Sequence, residues 1–285
     1  MTYLQAIILG IVEGVTEFLP VSSTGHLILA SNLLGLHDDK ALHAYEIVIQ
    51  FGAILAVLTL YKNRSLEMLQ GIMGKNPSGL RLFLMLIVAF IPAAIIGKLL
   101  DEYIDSHLFG PYPVVGALIV GGIVMIAVEQ FIVRPREKNA AGTFRSVDDL
   151  TYTDAVIIGF CQCFALWPGT SRSMATIVGG QLRRFSSVAA AEISFLLALP
   201  TLGAATLYKL LKERHELMAM PNATPLIIIG NIVAFVVAFI TVKVFVRVVT
   251  SWGMTPFGIY RIIVGTVFLW AAMKGLLVFS LLIVD

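Results

Sequence analysis

Residues 13–26 read EGVTEFLPVSSTGH: two carboxylates, a run of hydroxyls and an imidazole. The residues on either side, MTYLQAIILGIV and LILASNLLGL, are suited to lipid. A single helix through 4–35 would place charges, a proline and a glycine at the centre of the bilayer. That placement is tolerated only where the backbone is buried in protein or lines a water-filled cavity. The stretch therefore predicts two half-helices joined by a polar loop inside the membrane, a broken hairpin in place of a span.

The rest of the chain agrees with a membrane setting. Of its 285 residues, 58% are hydrophobic and 13% charged, with a mean hydropathy of +0.89. A soluble domain carries about 25% charged residues. The net charge of +2 comes from scattered basic residues and excludes a nucleic-acid partner. No basic leader with a small-residue cleavage site opens the chain, so insertion by the mature segments is expected. Apolar runs at 44–62, 81–100, 113–133, 190–209, 225–246 and 257–284 each approach the ~20 residues that cross the hydrocarbon core. A second interrupted segment, 155–182, matches the first. Cys161 and Cys163 have no metal-ligating partners nearby in sequence and read as small buried hydrophobes.

The two halves answer each other. IVAFIPAAIIGK (87–98) matches IVAFVVAFITVK (232–243), and TLYK occurs at 59–62 and at 206–209, downstream of Glu46 and Glu192. GIVEGVTEFLPVSST (10–24) matches GFCQCFALWPGTSR (159–172) with a one-residue gap, pairing Glu13 with Gln162, Glu17 with Leu166 and Thr24 with Arg172. The offset stays at roughly 145 residues, the mark of a duplication. The expectation is one integral membrane domain over 1–285, with repeats 1–138 and 150–285 and a linker at about 134–153. Each half holds one hairpin and three spans, an odd number, so the second copy is inverted. The fold class is thus an all-α polytopic membrane protein with an inverted-topology repeat, six transmembrane helices and two re-entrant hairpins, whose tips meet near the midplane. Lys62, Arg64, Lys75 and Arg81 in one loop and Arg134, Arg136, Lys138 and Arg145 in the connector mark the cytoplasmic side. Asp101, Glu102 and Asp105 mark the outside, with both termini, while Lys209, Lys212 and Arg214 point the other way.

Glu13 and Glu17 share a helix face at i,i+4. Carboxylates at that depth are functional by default, and the pair suits a divalent cation such as Mg2+ or Ca2+, or a base with its orienting partner. Ser22, Ser23, Thr24, Gly25 and His26 form a loop that opens a second half-helix. Its free N–H groups favour an anion, and a hydroxyl near an imidazole is the minimum for an activated nucleophile. In the second loop Ser171, Arg172, Ser173 and Thr176 hold the counterpart, where Arg172 needs an anion: either a structural pairing with Glu13 or Glu17, or a clamp on phosphate. Acids in one half and a cation in the other suit phosphoryl transfer. Gly10 and Gly14 read as a helix-packing pair. Glu46 and Glu192 read as structural, and His37, His43, His107 and His215 as solvated. Trp167, Trp252 and Trp270 read as interfacial or packing residues.

With EGVTEFLPVSSTGH and ALWPGTSRSMAT (165–176) in view, the chain resembles the bacterial undecaprenyl-diphosphate phosphatase family, also called the bacitracin-resistance protein family, over essentially its full length. The resemblance implies a multi-pass protein of the bacterial inner membrane whose site opens to the periplasm. It implies an enzyme that removes one phosphate from undecaprenyl diphosphate, recycling the lipid carrier of peptidoglycan and other envelope glycans and conferring bacitracin resistance. It implies Mg2+ or Ca2+ as cofactor and Glu13, Glu17, Ser23, His26 and Arg172 as essential residues, with Ser22, Ser171, Ser173 and Thr176 on the same loops in secondary roles. The rival class is a lipid-phosphate flippase, because inverted repeats with broken helices also build transporters. The GxxxG pair and the tryptophans at span ends leave room for a homodimer.

Overall fold

A computed structural model describes residues 1–36, 39–139 and 144–274. His37, part of the connector and the end of the last apolar run (275–284) lie outside the described residues. The described chain is helical, and its only β feature is an isolated bridge between Arg145 and Phe185.

The first interrupted segment forms α1 (Tyr3–Thr16) and α2 (Ser23–Leu33). At 1.5 Å per residue, the 14 residues of α1 reach about 21 Å, short of the ~30 Å hydrocarbon core. The second forms α8 (Tyr152–Cys163), a 3-10 turn over Phe164–Leu166, and α9 (Arg172–Leu182). Between them run α3 (Lys40–Leu60), α4 (Lys62–Ile72), α5 (Pro77–His107) and α6 (Pro111–Val128). A π turn at Glu129–Val133 joins α6 to α7 (Arg134–Asn139). After α9 come α10 (Ser187–Lys212), α11 (Arg214–Ala219), α12 (Ala223–Trp252) and α13 (Thr255–Met273). Among the described residues, six helices are long and apolar enough to cross a membrane: α3, α5, α6 with its continuation, α10, α12 and α13. These coincide with the six apolar runs. The chain is a multi-pass membrane protein.

The charged stretch after α3, expected as a plain loop, contains a helix. In α4, Leu66, Leu69 and Ile72 are exposed, while Arg64 reaches Asp148 at 2.7 Å and Glu192 at 3.3 Å. Charge density hid a short amphipathic helix there.

Small residues decide the packing. In lipid no hydrophobic force drives helices together, so close approach relies on residues without bulk. Gly10 and Gly14 of α1 lie against Gly230, Val233 and Ala234 of α12, and a Cβ at Gly14 would sit 2.8 Å from the Ala234 carbonyl oxygen. Gly159 of α8 lies equally close to Ala89 of α5. Gly122 of α6 meets Gly258 of α13. Each interrupted segment therefore packs its first helix on a long helix from the other half of the chain, α1 on α12 and α8 on α5. This interlocking carries the two polar loops to the same place.

At the start of α8, Asp154 anchors the connector. Its side chain is fully buried and accepts from Arg145 at 2.6 Å and Arg183 at 2.7 Å. Cys161 and Cys163 are half-buried, not the buried hydrophobes expected, though Cys163 Sγ still donates to the Gly159 carbonyl. His43 packs edge-on to Phe109, and His107 stacks on Tyr103.

Candidate active site

The loop after α1 keeps Glu17 at the helix C-cap, 2.9 Å from the Glu13 carbonyl through its own N–H, and turns at Pro20. It ends at Ser22, whose φ of 75° is a conformation that L-residues avoid. Ser22 Oγ caps α2 by accepting from the Gly25 N–H. In the other half Ser171, also at φ 75°, caps α9 by accepting from the Met174 N–H. Ser22 and Ser171 stand the same distance apart in sequence as Gly10 and Gly159. The two loops therefore correspond without a gap, and Arg172 answers Ser23 instead of Thr24, the partner expected from a one-residue gap.

That pairing places the reactive groups in contact. Ser23 Oγ donates to Glu17 Oε2 at 2.6 Å, and Arg172 Nη2 donates to Glu17 Oε1 at 3.3 Å. Glu17 thus joins the hydroxyl of one half to the guanidinium of the other. Arg172 Nη1 donates to the Ser194 carbonyl at 2.9 Å, while its buried Nε has no hydrogen-bond partner. The guanidinium also lies 5.9 Å from the centre of the Phe18 ring. A cavity lined by Glu17, Ser22, Ser23, Thr24, Ser171 and Arg172 opens beside these groups.

Glu13 is fully buried beside Glu17: among the described residues no hydroxyl, guanidinium or backbone N–H donates to its carboxyl oxygens, and its side chain meets the Glu17 carboxyl group. A bare carboxylate in a protein interior is costly. Its neighbours in charge are Glu17, Glu46 and Arg172. An orphaned acid beside a second acid fits a cation held by one or two carboxylates plus substrate oxygens, the usual arrangement for Mg2+. Among the described residues no cluster of three acidic, histidine or cysteine side chains exists to cage a metal alone.

Other expected site residues stand apart from the cavity. His26 Nδ1 lies 2.7 Å from the Ser22 carbonyl, which can only accept, so Nδ1 carries the proton. Nε2 then accepts from the Tyr260 hydroxyl at 2.8 Å, and the two rings lie nearly parallel. The anticipated serine–imidazole contact is not made: the carboxylate of Glu17 takes the place beside Ser23. Gly25, Ser173 and Thr176 do not line the cavity. Ser173 contacts Ser171 at 3.2 Å, and Thr176 bonds the Arg172 carbonyl and Ser194 Oγ, so both support the loop that carries Arg172. Glu46 accepts from Ser31 at 2.7 Å, and Glu192 pairs with Arg64.

Three residues at the site carry no acid–base signature in the sequence. Gln50 lines the cavity from α3. Tyr260 and Arg261 reach the loops from α13, and Arg261 is completely buried. The only trace in the sequence was a cation inside the apolar run FGIYRIIVG (257–265).

Residues 6–267 match the family described as Bacitracin resistance protein BacA. The chain belongs to this family. It is 49% identical over 270 residues to a Sorangium cellulosum protein named undecaprenyl-diphosphatase, covering 95% of this chain and 86% of the relative. A Bdellovibrio bacteriovorus protein of the same name is 46% identical, covering 94% of this chain and 95% of the relative. Undecaprenyl-diphosphatase 2 of Rhodospirillum rubrum is 43% identical over 97% of both chains. The match takes in both loops, so the geometry described above lies wholly inside the family's shared region.

Proposed function

We propose that this protein hydrolyses undecaprenyl diphosphate to undecaprenyl phosphate and inorganic phosphate, returning the lipid carrier to envelope glycan synthesis. The observation that carries the reading is Glu17, bonded at once to Ser23 of one loop and Arg172 of the other. Relatives named for this activity and a family named for bacitracin resistance point the same way. Withdrawing the diphosphate form that the drug binds accounts for the resistance.

In the proposed reaction the diphosphate enters the cavity with its isoprenoid tail between the helices. Glu17 takes the proton of Ser23 Oγ as that oxygen attacks the terminal phosphorus. The phosphoanhydride bond breaks, undecaprenyl phosphate leaves with the bonding electron pair, and its oxygen takes the proton from Glu17, which returns to the carboxylate. Water, deprotonated in turn by Glu17, then cleaves the phosphoserine and restores the hydroxyl. Arg172, whose Nε has no protein partner, donates to the transferring phosphoryl oxygens, where paired donors act with most effect. Ser22 and Ser171 hold the N-termini of α2 and α9 toward the same anion. Glu13 and Glu17 would hold Mg2+ or Ca2+, which when bound supplies charge neutralisation for the diphosphate. His26, turned to Tyr260, orients the start of α2 and takes no proton from Ser23.

The loop charges support placing the protein in the bacterial inner membrane with the site open to the periplasm. The echo between α1–α6 and α8–α13, with matched capping serines, supports an inverted repeat with two re-entrant hairpins over 1–138 and 150–285. The test is phosphate release from undecaprenyl diphosphate by purified protein with Mg2+, Ca2+ or EDTA, alongside Glu17→Gln and Arg172→Ala. Cation-dependent release that both variants lose is the expected result. No release by folded wild-type protein under any condition would overturn the enzyme reading, and lipid-phosphate translocation in vesicles would then be measured.

A further inference from the structure

A guanidinium has five N–H donors, and Arg261 uses every one on a backbone carbonyl. Nε donates to Leu118 at 3.1 Å and Nη2 to Ala117 at 2.9 Å, both in α6. Nη2 also donates to Gly169 at 2.8 Å, and Nη1 to Thr170 at 2.8 Å, both in the second loop. Nη1 reaches Pro20 of the first loop at 3.1 Å. The side chain is wholly buried, and among the described residues no carboxylate is bonded to it. One planar group thus holds the last turn of the Glu17–Ser23 loop and the start of the Ser171–Arg172 loop in a fixed relation.

We infer that Arg261 is a positioning residue of the reaction centre: it sets the register between the two loops and so the meeting of Ser23, Glu17 and Arg172. With all its donors occupied, Arg261 has none left for a phosphate, and its influence passes through the backbone. Lysine cannot replace it, since an ammonium offers three tetrahedral donors in place of a flat fork. Gly121 of α6 forms the shelf beneath, for a Cβ there would press on Nη2 and lie 2.9 Å from Cζ. The sequence of α13 also explains the arrangement: Tyr260, next in chain, holds His26 at the opening of α2. Two adjacent residues of one span thereby hold the first loop at Pro20 and the helix that follows it at His26.

The inference rests on the phosphatase reading for its kinetic consequence but not for its structural one, so two readouts are used. The variants are Arg261→Lys and Gly121→Ala, the second displacing the guanidinium without removing its charge. In phosphate release, both are expected to lower kcat about 100-fold, the scale of an ångström-level misplacement, with KM within about threefold of wild type. In hydrogen exchange followed by mass spectrometry, amides of 18–24 and 169–173 are expected to exchange faster together, while α3 and α12 keep wild-type protection. Either variant retaining kcat within about twofold, or loosening only one loop, would overturn the inference. General loss of protection in Arg261→Lys would identify a folding residue only, unless Gly121→Ala shows the paired loosening on an intact fold. If wild-type protein releases no phosphate, the kinetic arm fails with the phosphatase reading, and the exchange arm still decides whether Arg261 joins the loops.

Discussion

Ser23, Glu17 and Glu13 stand in line from the cavity inward, and their environments assign them different work. Ser23 is partly exposed and bonded to a carboxylate, which fits a nucleophile with its base at hand. Ser23→Ala is expected to lower kcat about 10³-fold, roughly 4 kcal/mol of transition-state stabilisation. Activity near wild type would mean that water attacks phosphorus directly and that Ser23 only binds phosphate. Glu13 has a different signature, a fully buried carboxyl group set against the Glu17 carboxyl group and, among the described residues, reached by no hydroxyl or N–H donor. Glutamine keeps the side-chain volume and removes the cation ligand. Glu13→Gln is therefore expected to gain nothing in melting temperature from added Mg2+ or Ca2+. Wild type should gain about 2.7 kcal/mol at a hundredfold excess of cation over Kd. Equal cation-induced shifts in the two proteins, measured by thermal unfolding in detergent, would remove Glu13 from the cation site.

At the level of helices, α1 delivers Glu13 and Glu17 only because glycine lets it lie against α12. Gly14→Val would force bulk onto the Ala234 carbonyl and Val237, at an expected cost of about 1–3 kcal/mol. Gly116→Ala, where nothing lies within 4 Å of the added methyl, serves as the neutral control. A Gly14→Val melting point equal to the control's would refute the packing argument. At α8 the connector depends on Asp154. Burial disfavours its charged form, but hydrogen bonds from Arg145, Thr151 and Arg183 outweigh that and hold its pKa well below the ordinary carboxylate range. Since the folded-state value is depressed, the stability it confers is complete above the unfolded pKa and is lost as pH falls toward the folded one. Wild type should weaken as pH drops below about 5, and Asp154→Asn should be less stable at neutral pH with a flatter acid limb. An unchanged acid limb in Asp154→Asn would show that other carboxylates govern it. Both sites were within reach of sequence reading to different degrees. The GxxxG pair announced itself by spacing, whereas the ion cluster joins Asp154 to Arg183, a contact no local pattern reveals.

For the molecule as a whole, the sequence made the six spans and both broken segments legible, since apolar runs near twenty residues have few alternatives in lipid. It also named the loops that meet, because acids in one repeat and an arginine in the other are complementary. What it hid were contacts set by three-dimensional placement. His26 follows Ser23 closely in sequence yet turns to Tyr260, because the α2 start directs its ring toward α13. Arg261 was illegible for the reverse reason: its partners are backbone carbonyls in three separate segments, and carbonyls leave no trace in composition. Charge asymmetry between loops gives the remaining global property, orientation, and it can be tested without any activity assay. Lys75, between α4 and α5, and Ser106, near the end of α5, are both exposed. They lie at opposite ends of one span-length helix. In a background with Cys161 and Cys163 changed to Ala, Ser106→Cys is expected to react with a membrane-impermeant maleimide in intact spheroplasts. Lys75→Cys should react only after permeabilisation, because the basic loop it occupies stays on the cytoplasmic side. The reverse pattern would turn the first hairpin toward the cytoplasm. Diphosphate released at the outer face would then have no route to Ser23, and the periplasmic opening proposed for the site would be wrong even if the chemistry were right.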